Sequence, residues 1–441
     1  MKALKLKTFK IIPMGSKSTC ENNLSAYALA PIDSHNYICL DAGTIINGIE
    51  KSINQYSFDD IITPHESNNI SFSDSNNSDS NNSDSDDYSH PSTPIKSTIL
   101  TPMSAQIRKK IINFFSVPEI EKKNEPEPDN FTDIFFGSTG NKNDNIFDED
   151  DKNNQMLHEN ILNKSHEELK NIEHNVLNKS KSVITLKEFK RTHTNMSPEK
   201  YILLNHIKGY LISHAHLDHI FGLVLNSQID DKKYIYCSNE TCNDLKEHIF
   251  NWRIWPNFCN EGVEKCLNKY EYVKLNQNEK YRKIIGTKMK VKIFPLSHGN
   301  IISTAFIIKY KTQHIIYCGD AGSDNIEKSI YFFNLWSKIK KYVINETIAG
   351  IFIECSYLND ISSNELYGHL NPIELENELS ILNSLVYNET RKNLSGLNIV
   401  IIHTKDSTLE SEHTLNEELL DISAKLKCTF IIPIQGIRFY L

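Results

Sequence analysis

No apolar run in this chain approaches the ~20 residues that a membrane-spanning helix needs. The amino terminus, Met1-Lys-Ala-Leu-Lys-Leu-Lys, is too charged and too regularly alternating for a secretory leader. The expected location is therefore cytoplasmic, with no membrane contact. An excess of basic residues is also missing. A formal net charge of −8 argues against a large nucleic-acid footprint, which needs many Lys and Arg to neutralise phosphates. The nine cysteines are odd in number and lack paired spacing, which fits reduced thiols better than a disulfide framework. Cys237 with Cys242, and Cys259 with Cys266, are spaced too widely for a zinc knuckle.

Apolar residues are scarce in one long stretch. From about 63 to 197 runs a low-complexity segment containing Ser73-Asp-Ser-Asn-Asn-Ser-Asp-Ser80, Thr-Pro pairs and acidic tracts such as Asp148-Glu-Asp-Asp151. So little apolar surface cannot offset the entropy of ordering the backbone, so this segment reads as a mostly disordered insertion. It separates residues 1–62 from 198–441, two parts of a single domain. Within it, 101–117 carries Ile107, Ile111, Ile112, Phe114 and Phe115, the pattern of an amphipathic helix that would dock on the core, or on a membrane or a partner.

The run Tyr210-Leu-Ile-Ser-His-Ala-His-Leu-Asp-His219 puts four metal-competent side chains, His214, His216, Asp218 and His219, within six residues. In an extended segment alternate side chains share a face, so His214 and His216 can grip one ion. If Asp218 and His219 open a helix continued by Ile220, Leu223 and Val224, they serve a second ion from a neighbouring position.

Two ions need more ligands than four residues supply. Three later apolar runs each lead into a residue able to bind metal. Val291–Leu296 precedes His298, His314–Gly319 precedes Asp320, and Leu397–Ile402 precedes His403. In α/β sheets, ligand sites form outside the carboxyl ends of strands, so residues far apart in sequence can converge there. Leu40-Asp-Ala-Gly43 repeats the Asp-Ala-Gly of 320–322, which hints at two related halves. The glycine after each acid would free the backbone to adopt positive φ and aim the carboxylate back over the sheet. Asp320 is assigned as a ligand and Asp41 as a supporting residue.

These residues resemble the metallo-β-lactamase superfamily, whose His-x-His-x-Asp-His signature is matched at 214–219. Further stretches are Ile249-Phe-Asn, Ile254-Trp-Pro-Asn257, Pro295-Leu-Ser-His-Gly299, Ser303-Thr-Ala-Phe306, Gly319-Asp-Ala-Gly-Ser-Asp324, Ile353-Glu-Cys-Ser-Tyr357 and Leu366-Tyr-Gly-His-Leu370. With these, the chain looks like the class II cyclic-nucleotide phosphodiesterases of fungi and slime moulds. The match covers roughly the first sixty residues and everything from about 199, and the loop 13–24 is less glycine-rich than the family's.

The resemblance implies an α/β fold, the αββα four-layer sandwich, interrupted by the insertion. It implies two divalent ions, zinc by preference. His214, His216 and His298 would hold one, Asp218, His219 and His403 the other, with Asp320 bridging. Two metals at ~3.5–4 Å can share a hydroxide, whose expected attack on a 3′,5′-cyclic nucleotide (cAMP, or cGMP) releases the 3′-oxygen and leaves a 5′-monophosphate. Asp218 counts as catalytic as well as ligating. His369 is expected to be a further catalytic group, oriented by Glu354 as related phosphodiesterases pair such residues, although it could instead cap the helix beginning near Pro372. Ser303 and Thr304 could donate to the phosphate, or be ordinary strand residues. Phe250, Trp252, Trp255 and Phe258 could stack on the base or be buried packing. The expected partner is the small cyclic nucleotide and no nucleic acid, with homodimerisation open. The rival readings are a transfer-RNA 3′-processing endonuclease of the same superfamily and a non-catalytic metal-binding scaffold.

Overall fold

The computed structural model describes residues 7–19, 22–56, 61, 189, 192, 195–277, 279–405 and 408–441. The helix expected at 101–117 lies outside them, as does the expected insertion except at Phe189, Thr192 and 195–197. Phe189 is buried in the core against Tyr201, so the insertion ends earlier than the expected 197. The described residues belong to one compact unit, to which the chain contributes from both sides of segment 74–182.

Apolar alternation builds two seven-stranded sheets. In β3 (Tyr37–Leu40), Tyr37 and Cys39 face one core while Ile38 and Leu40 face another, as a strand buried on both faces requires. The first sheet begins with β1 (Phe9–Gly15), β2 (Ala26–Pro31) and β3, all antiparallel. It continues in parallel through β4 (Ile207–Leu211), β5 (Lys233–Cys237) and β6 (Tyr270–Lys274). The second repeats that plan. Its β7 (Arg282–Lys283), β8 (Lys290–His298), β9 (Ile301–Tyr310) and β10 (Gln313–Cys318) are antiparallel. Then β11 (Ile348–Glu354), β12 (Asn398–Ile402) and β13 (Thr429–Ile431) add in parallel. The carboxyl-terminal β14 (Phe439–Tyr440) returns to pair with β1.

Residues from both sheets, among them Ile11, Tyr27, Leu40, Phe306, Tyr317, Phe352 and Ile402, share one central core, so the sheets face each other. The outer face of the first sheet is covered by α1 (Ile46–Gln55), α2 (Pro198–Asn205) and α3 (Leu217–Asn226). A short α4 (Asn239–Asp244) and a π-helical turn (Leu245–Ile249) lead off β5. The outer face of the second carries α5 (Asp324–Glu327), α6 (Tyr331–Ile344), α7 (Pro372–Thr390) and α8 (Leu409–Leu426). The layers run helix, sheet, sheet, helix, as expected. Among the described residues no helix is long and apolar enough to cross a membrane.

The Asp-Ala-Gly repeat marks corresponding places. Asp41 follows β3 and Asp320 follows β10, in each sheet the strand where antiparallel pairing gives way to parallel. The expected role of the glycines is corrected: neither Gly43 nor Gly322 has positive φ. Asp41 itself has φ +54°. Gly43 is needed because a side chain there would collide with the Asp218 carbonyl of α3, whereas one at Gly322 would meet only the flexible Glu327 side chain.

Candidate metal centre

The parallel strands end along one edge of the sandwich. Past the end of β4 an extended stretch carries Ser213, His214 and His216, and α3 then opens with Asp218 and His219 in its first turn. Ile220, Leu223 and Val224 anchor that helix on the core. On the other sheet, β8 ends in His298, β10 stops two residues before Asp320, and β11 ends in Glu354. His403 follows β12 directly, at φ +59°. Left-handed backbone in a non-glycine residue persists only where its surroundings fix it. Here it turns the imidazole in toward the centre.

All seven expected ligands converge. His214, His216 and His298 bring ligand atoms within 4.8 Å of one another, as do Asp218, His219, Asp320 and His403. His298 Nε2 is 3.3 Å from His216 Nδ1. Asp320 Oδ2 stands between the two groups. It lies 3.1 Å from both His219 Nε2 and His403 Nε2, 3.8 Å from His214 Nε2 and 3.9 Å from His298 Nε2. Asp218 Oδ2 is 2.9 Å from His403 Nε2.

Each buried imidazole spends one nitrogen on an orienting partner and turns the other inward, as metal-binding histidines do. His219 Nδ1 donates to Asp41 at 2.8 Å, and His298 Nδ1 donates to the Gly368 carbonyl at 2.7 Å. Ser213 donates its hydroxyl to Asp41 (2.9 Å) and so can accept from His214 Nδ1 at 3.0 Å. In the other half, Ser356 donates to Glu354 and lies 3.0 Å from His403 Nδ1. Two buried acids thus each hold one histidine directly and a second through a serine.

The electrostatics suit cations. Burial, with the neighbouring imidazoles, holds the pKa values of His214, His216 and His298 below the ordinary histidine value, leaving their lone pairs free. Burial alone would raise the Asp320 carboxyl, but His219, His403 and His214 outweigh it and hold it well below the usual range. Burial likewise opposes ionisation of Asp218, and His219 and His403 overcome it, bringing it down to about 2. For His219, burial is outweighed by Asp320, Asp41 and Asp218, which raise it well above the ordinary value. The fit to a divalent metal is sharpest at two atoms. His214 Nε2 and Asp320 Oδ1 are buried with no hydrogen-bond partner among the described residues, a costly state that coordination would relieve.

Glu354 and His369 also meet. His369 Nδ1 is 2.9 Å from Glu354 Oε1, and its ring stacks on His403 and abuts His298. Burial lowers the His369 pKa and the Glu354 carboxylate more than restores it, so the net shift is upward. The capping alternative fails because Asn371 caps α7, accepting from the Glu374 amide at 3.0 Å. Ser303 and Thr304 are buried on β9, and the Ser303 and Ser213 side chains lie against Gly319. Of the aromatic patch, Phe250 is in the core, and Trp255 and Phe258 pack against it. Trp252 is 45 % exposed, and none of the four lines the cavity beside the histidines.

The roles of Ser213, Ser356 and Gly368 were not assigned from sequence. The signal for Ser356 was its place two residues after Glu354 in an extended stretch, which puts both on one face. Gly368 has φ +82°, and a side chain there would run into the backbone of Gly299. Gly299 opens the two-residue β8–β9 hairpin with φ +57°, so two glycines let the His369 loop lie against His298.

A family model described as "cAMP phosphodiesterases class-II" matches residues 138–436, more than half of the chain. The match begins inside the segment set apart from sequence as an insertion. The 3′,5′-cyclic-nucleotide phosphodiesterase of Aliivibrio fischeri is 40 % identical over 240 residues, 54 % of this chain and 71 % of that protein. The 3′,5′-cyclic-nucleotide phosphodiesterase 1 of Saccharomyces cerevisiae is 34 % identical over 258 residues, 54 % of this chain and 69 % of that one. The likeness therefore extends beyond fungi and slime moulds to bacteria. The crystal structure of unliganded yeast PDE1 shares the fold, with a TM-score of 0.64 and 22 % identity across 99 % of this chain and 100 % of that one. The chain belongs to the class-II cAMP phosphodiesterase family.

Proposed function

We propose that this protein hydrolyses 3′,5′-cyclic nucleotides, cyclic AMP foremost and cyclic GMP as well, to nucleoside 5′-monophosphates. The observation that carries the reading is the convergence of seven ligand side chains around Asp320 Oδ2, with His214 Nε2 and Asp320 Oδ1 left unpartnered. His214, His216 and His298 would hold one ion and Asp218, His219 and His403 the other, with Asp320 shared. Zinc suits this imidazole and carboxylate donor set. Divalent ions held there would lower the pKa of bound water toward neutrality and take up charge from the phosphoryl oxygens.

The chain's own groups supply the rest. His369 Nδ1 is committed to Glu354, which leaves Nε2 to protonate the departing 3′-oxygen or to hold the phosphate. Asp218 is kept among the catalytic groups because its side chain is 24 % exposed, whereas Asp320 is closed off. The catalytic domain would be assembled across the segment set apart from sequence as an insertion. A cytoplasmic location agrees with the eight described cysteines, all of them free.

The deciding experiment measures hydrolysis of cyclic AMP, cyclic GMP and a precursor RNA by the purified protein, with and without chelator, alongside its metal content. Chelator-sensitive cleavage of the cyclic nucleotides is expected. Activity confined to the RNA would favour the endonuclease, and metal without any hydrolysis the scaffold.

A further inference from the structure

Beside the metal centre opens a cavity of about 510 Å³, with His216 and His298 at one end. Its remaining lining includes Asn300, Ile301, Ile326, Asn364 and Tyr367, and among the described residues neither Lys nor Arg contributes to it. One acid does. Glu327, from the last turn of α5, lies over Gly322, two residues beyond Asp320. One of its carboxylate oxygens accepts the Ser297 hydroxyl at 3.0 Å. The other makes no hydrogen bond among the described residues. Glu327 thus lines the same cavity as His216 and His298, held there through Ser297.

Resting on the phosphodiesterase reading above, we infer that Glu327 is the specificity residue that accepts the ribose 2′-hydroxyl of the cyclic nucleotide. With the cyclic phosphate at the histidine end, the sugar fused to it must occupy the adjoining part of the cavity. The 2′-hydroxyl is attached next to the 3′-oxygen. It is therefore the substrate's donor nearest the phosphate, and Glu327 is the one carboxylate among the described residues lining the cavity. The carboxylate repels a second phosphate, and the lining holds no Lys or Arg to neutralise one, so the cavity takes a neutral nucleoside. Asn300 and Asn364 are left to face the base.

A hydrogen bond to a charged acceptor changes binding by roughly ten- to a hundredfold. The test compares wild type, Glu327→Ala and Glu327→Gln, the latter keeping an oxygen for Ser297. Each is assayed for kcat and KM on 3′,5′-cyclic AMP and on its 2′-deoxy analogue. Calorimetric binding of 5′-AMP and 2′-deoxy-5′-AMP, and metal content, accompany the kinetics.

Wild type should favour the ribonucleotide by about tenfold or more, mainly through KM. Both variants should bring the two substrates within about twofold of each other at unchanged metal content, and the binding preference should vanish with the kinetic one. Discrimination that survives in both variants, or an equal loss on both substrates, overturns the assignment. So does a wild type that is active without preferring the ribonucleotide, and in that case the phosphodiesterase reading stands. A wild type inactive on both substrates removes that reading and this inference together.

Discussion

Asp41→Asn is the sharpest test of how this centre is held. Asp41 is fully buried and accepts four hydrogen bonds. The Ser213 amide donates to Oδ1 at 2.7 Å, while the Ser213 hydroxyl (2.9 Å), the Tyr317 hydroxyl (2.7 Å) and His219 Nδ1 (2.8 Å) all converge on Oδ2. Asparagine keeps one acceptor, which can go to the Ser213 amide. It also tolerates the φ of +54° at this position, so it adds no backbone strain. Its amide nitrogen then faces the other three groups as a donor. The two hydroxyls can turn and accept. His219 can accept at Nδ1 only by moving its proton to Nε2, the nitrogen that faces Asp320 at 3.1 Å, and a protonated Nε2 cannot bind metal.

The substitution should therefore cost a ligand without removing a ligand residue. Loss of an orienting partner typically weakens metal affinity by about 10- to 100-fold, equivalent to roughly 1.4–2.8 kcal/mol. Because the Ser213 hydroxyl also reaches His214 Nδ1, both groups of ligands should be affected. Competition against a chromophoric chelator measures the affinity, and a thermal melt of the metal-free protein separates binding from folding. The metal-free variant should remain folded and lose no more than roughly 3 kcal/mol, the scale of one hydrogen bond to a charged group. Retention of wild-type affinity within about twofold, against the 10-fold minimum expected, would refute the tautomer argument.

Replacing His369 with Ala should lower turnover by about 10²–10⁴-fold, the usual range for a general acid. The seven proposed ligands are untouched, so metal content should stay level, and loss of metal would recast His369 as a ligand. Gly368→Ala should depress the melting temperature and loosen metal at His298, since position 368 needs positive φ, abuts Gly299 and supplies the carbonyl that orients His298. An unaltered melt and metal content would show that the loop tolerates a side chain. Burial pushes the Glu378 carboxyl up to about 7, despite donors at 2.8 Å (Asp324 amide) and 2.9 Å (Trp336 Nε1). With the folded pKa raised, the folded state favours the neutral acid, so this contribution is greatest below the unfolded value near 4.5 and is lost as pH rises through 7. The destabilisation caused by Glu378→Ala should then be roughly 3 kcal/mol smaller at pH 8 than at pH 4.5, measured by denaturant titration at both. A cost independent of pH would mean the carboxyl titrates normally.

Legibility followed the range of the interactions. The cluster at 214–219 could be read because its four side chains are placed by local geometry, an extended run turning into a helix. His298, Asp320 and His403 could be read because apolar runs announce strands, and strand ends are where such sheets gather ligands. Glu354 and His369 were paired through the family resemblance, since residues 15 apart give no local hint of a 2.9 Å contact. What remained hidden depends on the two sheets facing each other. Tyr317 reaches Asp41 across 276 positions of sequence, and nothing near either residue predicts it. The left-handed backbone at Asp41 and His403 was likewise beyond a pattern reading, which placed the freedom on the glycines instead. Such conformations are imposed by tertiary contacts and run against local preference.

The hidden contacts have an order that the repeat of Asp-Ala-Gly only hinted at. One half uses Asp41, Ser213, His214 and His219, and the other uses Glu354, Ser356, His403 and His369. In each, a fully buried acid grips one imidazole directly and reaches another through a serine. The halves differ in one place. The directly held histidine faces Asp320 at 3.1 Å in the first half, whereas in the second the nitrogen of His369 nearest Asp320 is Nδ1, already bonded to Glu354, at 3.9 Å. The same device that orients a proposed ligand in one half thus orients, in the other, an imidazole whose Nε2 makes no hydrogen bond among the described residues. That difference gives a physical reason why His369, alone among these four histidines, is assigned to the substrate and not to the metal.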